Sequence, residues 1–194
     1  MVDTVKDLKI GFGITGSFCT ISKIIPIIAE LTEKGAKITP ILSDAVASCD
    51  TRFGKAADLK KTLTDITGGA PMTSLPQVEP IGPKGLLDVL VIAPCTGNSI
   101  AKIANGISDT PVTLAAKSHL RNNRPVVLAV STNDGLGGNA KNIGSLLSRK
   151  NIYLVPFKQD NCIEKENSLV ADFSLIEQSL YAALTGQQLQ PVLI

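Results

Sequence analysis

The sequence predicts a three-layer α/β sandwich on one doubly wound parallel sheet, with residues 1–194 forming a single domain. Three observations predict it. Short β-rich apolar runs alternate with segments of helical period along the whole chain. Two of the runs, Asp88-Val-Leu-Val-Ile-Ala93 and Pro125-Val-Val-Leu-Ala-Val130, are continuously apolar, as parallel strands covered on both faces should be. A chain of 194 residues also suits one α/β domain and can bury roughly 70% of its unfolded surface, so it needs no staples.

The elements follow in order. Leu8-Lys-Ile-Gly-Phe12 is the first strand. The stripe Ile21, Ile24, Ile25, Ile28 and Leu31 predicts a helix ended by Gly35. Pro26 inside it removes a backbone bond, so this helix either starts late or is kinked. Lys37-Ile-Thr-Pro-Ile-Leu42 is the second strand, and Leu59, Leu63 and Ile66 form a helix ended by Gly68-Gly69. Residues 68–85 are rich in Gly and Pro and read as one long irregular segment, a length more often functional than idle. After the third strand come helical stripes at Ile100, Ile103, Ala104 and Ile107 and, more weakly, at Ala115, Ala116 and Leu120. The fourth strand leads to a stripe at Ile143, Leu146 and Leu147, then to a fifth strand, Ile152-Tyr-Leu-Val155. Leu169, Phe173, Ile176, Leu180 and Leu184 predict a long final helix ended by Gly186. No repeat or low-complexity stretch interrupts this flavodoxin/Rossmann-like order.

Composition excludes several classes. Nineteen Lys and Arg against seventeen Asp and Glu give +2, too little for a basic nucleic-acid binder. No apolar stretch approaches the roughly 20 residues of a membrane span, and the first residues carry no apolar leader. The four cysteines, Cys19, Cys49, Cys95 and Cys162, have no CxxC spacing, and with one His a metal site is not expected. Dispersed thiols in such a chain point to the cytoplasm. Charged residues are only 19%, against about 25% in an average soluble domain. That shortage, with no membrane segment, points to surface buried between subunits.

In an open α/β sheet, ligands sit beyond the carboxyl ends of the strands. Gly11-Phe-Gly13-Ile-Thr15-Gly16-Ser17 formally matches GxGxxG after a strand and before a helix. A dinucleotide site also wants an acid at the end of the second strand. Ser43 stands there, with Asp44 one step late, and a hydroxyl suits a phosphate better than a diol. Thr15, Gly16 and Ser17 therefore suit one phosphate, as of a mononucleotide, or form a tight turn with no ligand. Thr96, Gly97, Asn98 and Ser99 present N–H groups and hydroxyls in excess of a single helix cap. Ser131, Thr132, Asn133 and Asp134 open a glycine-rich loop that is a third ligand segment or a polar surface loop capped by Asn139. Cys19, near a helix start, and Cys95 are expected to be small buried residues, and Tyr153 and Phe157 to be core.

Together these loops resemble the homo-oligomeric flavin-containing family that includes phosphopantothenoylcysteine decarboxylases and flavin prenyltransferases. Gly13-Ile-Thr-Gly-Ser17, Ser43 and Ala93-Pro-Cys-Thr-Gly-Asn-Ser99 followed by Ala101-Lys102 match its motifs. The resemblance implies FMN phosphate and ribityl contacts at Gly13, Thr15, Gly16, Ser17, Ser43, Thr96, Gly97, Asn98, Ser99 and Ser131. Further blocks are similar to one branch of the family over nearly the whole chain. They are Asp50-Thr-Arg-Phe-Gly54, Glu79-Pro-Ile-Gly-Pro-Lys84, Lys117-Ser-His-Leu-Arg-Asn122, Ser131-Thr-Asn-Asp134, Val155-Pro-Phe-Lys-Gln-Asp160 and Gln190-Pro-Val-Leu193. That branch implies NADP-linked oxidation of a dihydropyridine dicarboxylate, alongside a second, NADP-binding subunit.

The family's decarboxylases place a His about eight residues before the Asp that opens the third strand. Here Glu79-Pro80 stands in that region, and the sole His, His119, lies elsewhere. Cysteine-type decarboxylation is therefore the alternative reading, beside a prenyltransferase-like enzyme, a non-catalytic stabilising subunit and a free Rossmann dehydrogenase. FMN, another phosphate-bearing ligand or substrate alone can occupy the loops. Arg is suited to clamping carboxylates, so Arg52, Arg121 and Lys158 are candidates for the substrate's two. Arg52, Asn133 and Asp134 are the catalytic candidates.

Overall fold

The computed structural model describes residues 4–194, and among these seven strands form one sheet. The first three core strands are β1 (Lys9–Ile14), β2 (Lys37–Leu42) and β3 (Val89–Cys95), followed by β4 (Val126–Thr132). Their order is β2-β1-β3-β4, all parallel, with β5 (Ile152–Leu154) parallel to the first half of β4. Every residue of β3 is buried, as its continuous apolar run predicts.

The same edge of β4 changes partner halfway. Its end, Ser131 and Thr132, pairs antiparallel with β7 (Lys165–Ala171), which forms a hairpin with β6 (Phe157–Asn161). The sheet is therefore mixed, with an antiparallel arm added to the predicted parallel core. This corrects the predicted final helix. Leu169 lies in β7 and Phe173 in a 3-10 turn, and the helix α8 spans only Ile176–Leu184. Asp172 separates the two states, because its carboxylate accepts from the Ser174 N–H and caps the turn at 3.1 Å. The apolar stripe crosses that boundary because both elements face the same core.

The helices α1 (Phe18–Glu33) and α8 cover one face. The helices α5 (Gly97–Ala104), α6 (Pro111–Arg121) and α7 (Ala140–Leu147) cover the other. Pro26 sits inside α1 on its exposed side, so the Ser22 carbonyl it leaves unbonded faces solvent. Two helices, α2 (Asp44–Ser48) and α3 (Ala56–Thr67), follow β2 where one was predicted. Gly68 ends α3 with φ +73, the left-handed cap that glycine adopts freely.

Residues 68–85 do not approach the ligand loops. Met72 bonds to Pro40 and Leu42 along the outer edge of β2, and the short α4 (Leu75–Val78) packs toward α6. The segment therefore covers a sheet edge that would otherwise expose unpaired backbone groups. No helix among the described residues is long and apolar enough to cross a membrane.

Candidate ligand cleft at the carboxyl edge of the sheet

Crossovers from β1 to β2 and from β3 to β4 leave in opposite directions, so a crevice opens between β1 and β3. A cleft of about 600 Å³ lies there. Its base is Gly16 and Ser17 after β1, Thr96, Gly97 and Asn98 after β3, and Ser131 to Asp134 from β4. Phe18, Cys19 and Lys23 of α1 form one wall, Arg52 and Phe53 another, and Ser168, Leu169 and Val170 of β7 a third.

The base is tied across strands. Thr15 Oγ1 donates to the Pro94 carbonyl at 2.7 Å and accepts from the Thr96 N–H at 3.0 Å. Ser17 and Ser131 hydroxyls meet at 2.9 Å, joining the β1 and β4 ends over β3. Thr96 caps α5 by accepting from Ser99 N at 3.4 Å. These bonds exchange local freedom for a fixed rim of hydroxyls and N–H groups.

Asp134 is held more closely than its neighbours. Its carboxylate accepts from Thr132 Oγ1 at 2.5 Å and from Asn139 Nδ2 at 2.9 and 2.8 Å, one contact to each oxygen. The backbone carbonyl of Asp134 also accepts from Gly137 and Asn139, so one residue organises the whole loop. Gly97 closes over this cluster. A Cβ at Gly97 would lie 2.5 Å from Thr132 Oγ1 and 2.8 Å from Asp134 Oδ1, so only glycine fits.

The cleft thus brings together Gly16, Ser17, Thr96, Gly97, Asn98, Ser131, Arg52, Asn133 and Asp134. Gly13 lies inside β1 with Val112 3.0 Å from its Cβ position, so it serves close packing. Thr15 and Ser99 are buried behind the base and hold it in shape. Arg52 stacks on the Phe53 ring at 4.8 Å, on the exposed 49–55 loop.

Two of the carboxylate candidates are not brought to the cleft. Arg121 ends α6, whose chain runs back antiparallel to the strands, so it sits at the opposite edge among Leu120, Arg149 and Lys150. Lys158 faces an adjoining groove with Asp172 and Glu177. Lys23, Lys165, Asp160 and Asn139 take their place beside the cleft and were missed. Lys23 was within reach, one helical turn after Cys19. Lys165 and Asp160 depend on the hairpin, whose one local signal is Asn161, accepting from Ile163 and Glu164 N–H groups at 3.0 Å.

The residues fit a phosphate-bearing group such as FMN. Ser43 Oγ is buried beside the β1 loop with no hydrogen-bond partner, an unmet polar atom that a phosphate would satisfy. Ser43 N donates to Ile14 O at 3.0 Å, which fixes that hydroxyl next to the first loop. The thiols differ as their burial does. Cys19 is exposed on the wall, contrary to expectation, whereas Cys95 is buried and its pKa is pushed up to about 12. His119 is buried at the far edge, where burial and the Arg124 guanidinium push its pKa down to about 4. It takes no part in the cleft.

Comparison with known proteins agrees with this architecture. Residues 3–175 match the Flavoprotein family model. The chain is 48% identical to the B subunit of dipicolinate synthase from Bacillus subtilis (strain 168), over all of this chain and 96% of that protein. It superposes on the crystal structure of the dipicolinate synthase B subunit from Bacillus halodurans C with a TM-score of 0.91 and 46% identity, covering 98% of each chain. The FMN-dependent cysteine decarboxylase SpaF matches at a TM-score of 0.62 and 25% identity, over 93% of this chain and 99% of that one. With the family model covering residues 3–175 and 48% identity to a relative over its own whole length, this chain belongs to the Flavoprotein family.

Proposed function

We propose that the chain acts as the B subunit of a dipicolinate synthase. With the dipicolinate synthase A subunit it forms dipicolinate (pyridine-2,6-dicarboxylate) by NADP-linked oxidation of dihydrodipicolinate, in the cytoplasm of a sporulating cell. The observation that carries this reading is the full-length likeness to B-subunit proteins, which includes every segment lining the cleft.

The cleft residues divide the work. Gly16, Ser17, Thr96, Gly97, Asn98 and Ser131 line the cleft and would hold FMN by its phosphate and ribityl chain, with the Ser43 hydroxyl beside the first loop and Ser99 behind the base in support. FMN bound there would supply a two-electron acceptor, a route that oxidation by the NADP of the A subunit does not require. Arg52 lines the cleft and stacks on Phe53, and its guanidinium fork would hold a carboxylate of the dicarboxylate substrate. Asn133 and Asp134 face the same space. Because the product ring is aromatic, the chain has mainly to orient the ring and its carboxylates, and NADP on the A subunit takes the electrons.

Kinetics of the reconstituted two-subunit enzyme test this. Arg52→Ala is expected to raise KM for dihydrodipicolinate by about tenfold, the loss of one charged hydrogen-bonding partner. An unchanged KM sinks the clamp. A flavin absorbance band on the purified chain supports FMN at the hydroxyl rim, and carbon dioxide release from a cysteinyl peptide would instead support a decarboxylase.

A further inference from the structure

The cleft contains two carboxylates, and their surroundings differ. Asp160 is paired with Lys165 at 2.6 Å. Asp134 has no cation beside it among the described residues; its partners are neutral donors, Thr132 Oγ1 and both contacts from Asn139 Nδ2. Asn139 stands at the N-cap position of α7, yet its side chain makes no cap bond. A capping Asn is worth about 1 kcal/mol to a helix, and here the amide is turned to Asp134 instead. Asn142 Nδ2 donates to Asn139 Oδ1 at 2.8 Å, which fixes the Asn139 NH₂ toward the carboxylate. Both amides are buried, so the arrangement is part of the packed interior and not a surface accident.

We propose that Asp134 accepts the proton released when the ring is oxidised in this cleft, and that Asn139 is the residue that positions it. This rests on the dihydropyridine oxidation proposed above. Two hydrogens leave the ring. One departs with its electron pair as a hydride to NADP⁺ on the A subunit. The other leaves as a proton to an Asp134 oxygen, and its bonding pair stays to complete the aromatic ring. Dihydrodipicolinate and NADP⁺ become dipicolinate, NADPH and a carboxylic acid that later releases its proton to water.

The chemistry suits such a group. Loss of the hydride alone would leave a cationic ring, so a fixed carboxylate that takes the second hydrogen as a proton while the hydride departs lowers the barrier to forming the aromatic product. A carboxylate offers about four lone-pair positions, and the Thr132 and Asn139 contacts occupy three, leaving capacity toward the cleft. The other charged or titratable groups facing this space fit less well. Lys23 and Arg52 are cations, Asp160 and Lys165 neutralise each other, and Cys19 lies on the α1 wall. The reading also accounts for a cleft that contains no imidazole.

The two-subunit enzyme tests it. Asp134→Asn is expected to lower kcat by about 100-fold or more, the usual weight of a proton-transfer group, with KM within threefold. Asp134→Glu keeps the carboxylate but pushes it out of the Asn139 cradle, and is expected to recover part of that loss. Asn139→Ser removes the amide that holds the carboxylate, and is expected to lower kcat about tenfold with KM within threefold, while Asn139→Gln recovers part of that loss. Dipicolinate binding to each variant reports that the cleft still folds. Full kcat in Asp134→Asn overturns the acceptor role. An Asn139→Ser enzyme that is less stable but keeps its kcat overturns the positioning role. Wild-type enzyme that reduces no NADP overturns the oxidation reading, and both roles with it.

Discussion

Gly97 shows at the scale of one residue how the fold and the cleft share atoms. Any β-carbon there meets Thr132, Asn139 and Asp134 at under 3.0 Å, so the α5 start or the Asp134 loop must shift. Gly97→Ala is expected to cost about 2 kcal/mol of stability by overpacking, read as a lower urea midpoint, and to weaken dicarboxylate binding as well. His119 gives a second residue-level prediction. Its folded pKa of about 4 lies below the unfolded value of 6.5, so its neutral form is favoured by folding. The matching stability is fully present above pH 6.5 and is lost as pH falls from there toward 4. The loss is about 3 kcal/mol at 1.36 kcal/mol per unit. Urea melts across that window should show wild type losing about that much more than His119→Gln; parallel curves would contradict it. The glycine and hydroxyl loops were legible in the sequence because strand ends are marked by apolar runs. The place of Arg121, away from the cleft, was not legible because local pattern does not say at which edge of the sheet a helix ends, and the cap is only one of the two readings that the position of Asn139 allows.

At the scale of elements, the parallel core was legible and the arm was not. The continuous apolar runs up to Ala93 and Val130 have one physical reading, burial on both faces. The β6–β7 hairpin has a mostly exposed first strand, so it carries no burial period, and the residues after Leu169 mimic a helix. Gly135 seats this arm. A Cβ there would lie 2.7 Å from the Leu169 side chain, which holds β7 against the Asp134 loop. Gly135→Val is expected to lift the hairpin, raising hydrogen exchange at residues 157–171 while the β1–β3 core stays protected. Equal exchange throughout would show that the arm is not seated by this contact. The chain after α8 is tied to β5 by Gln188, which accepts from Leu154 N at 2.8 Å and donates to Leu154 O at 2.7 Å, as a neighbouring strand would.

For the whole molecule, the low charge content has a structural counterpart. Phe53, Leu136 and Ile163 are 53, 50 and 84% exposed, on the Arg52 loop, the Asp134 loop and the hairpin turn. Phe53 lines the cleft, and Leu136 and Ile163 lie on the loop and the hairpin that carry its residues Asp134 and Lys165. We expect the chain to form a homo-oligomer through this edge, and Leu136→Glu with Ile163→Glu to shift it toward monomer in light scattering. A wild-type monomer would contradict that. As proposed above, this chain supplies a working part of dipicolinate formation and is no passive companion. The most direct measurement is NADP reduction with dihydrodipicolinate by the A subunit alone, then with this chain titrated in. Little reduction by the A subunit alone is expected, with a rate that rises and saturates as the two approach a fixed ratio. Full activity from the A subunit, unchanged by this chain, would contradict it.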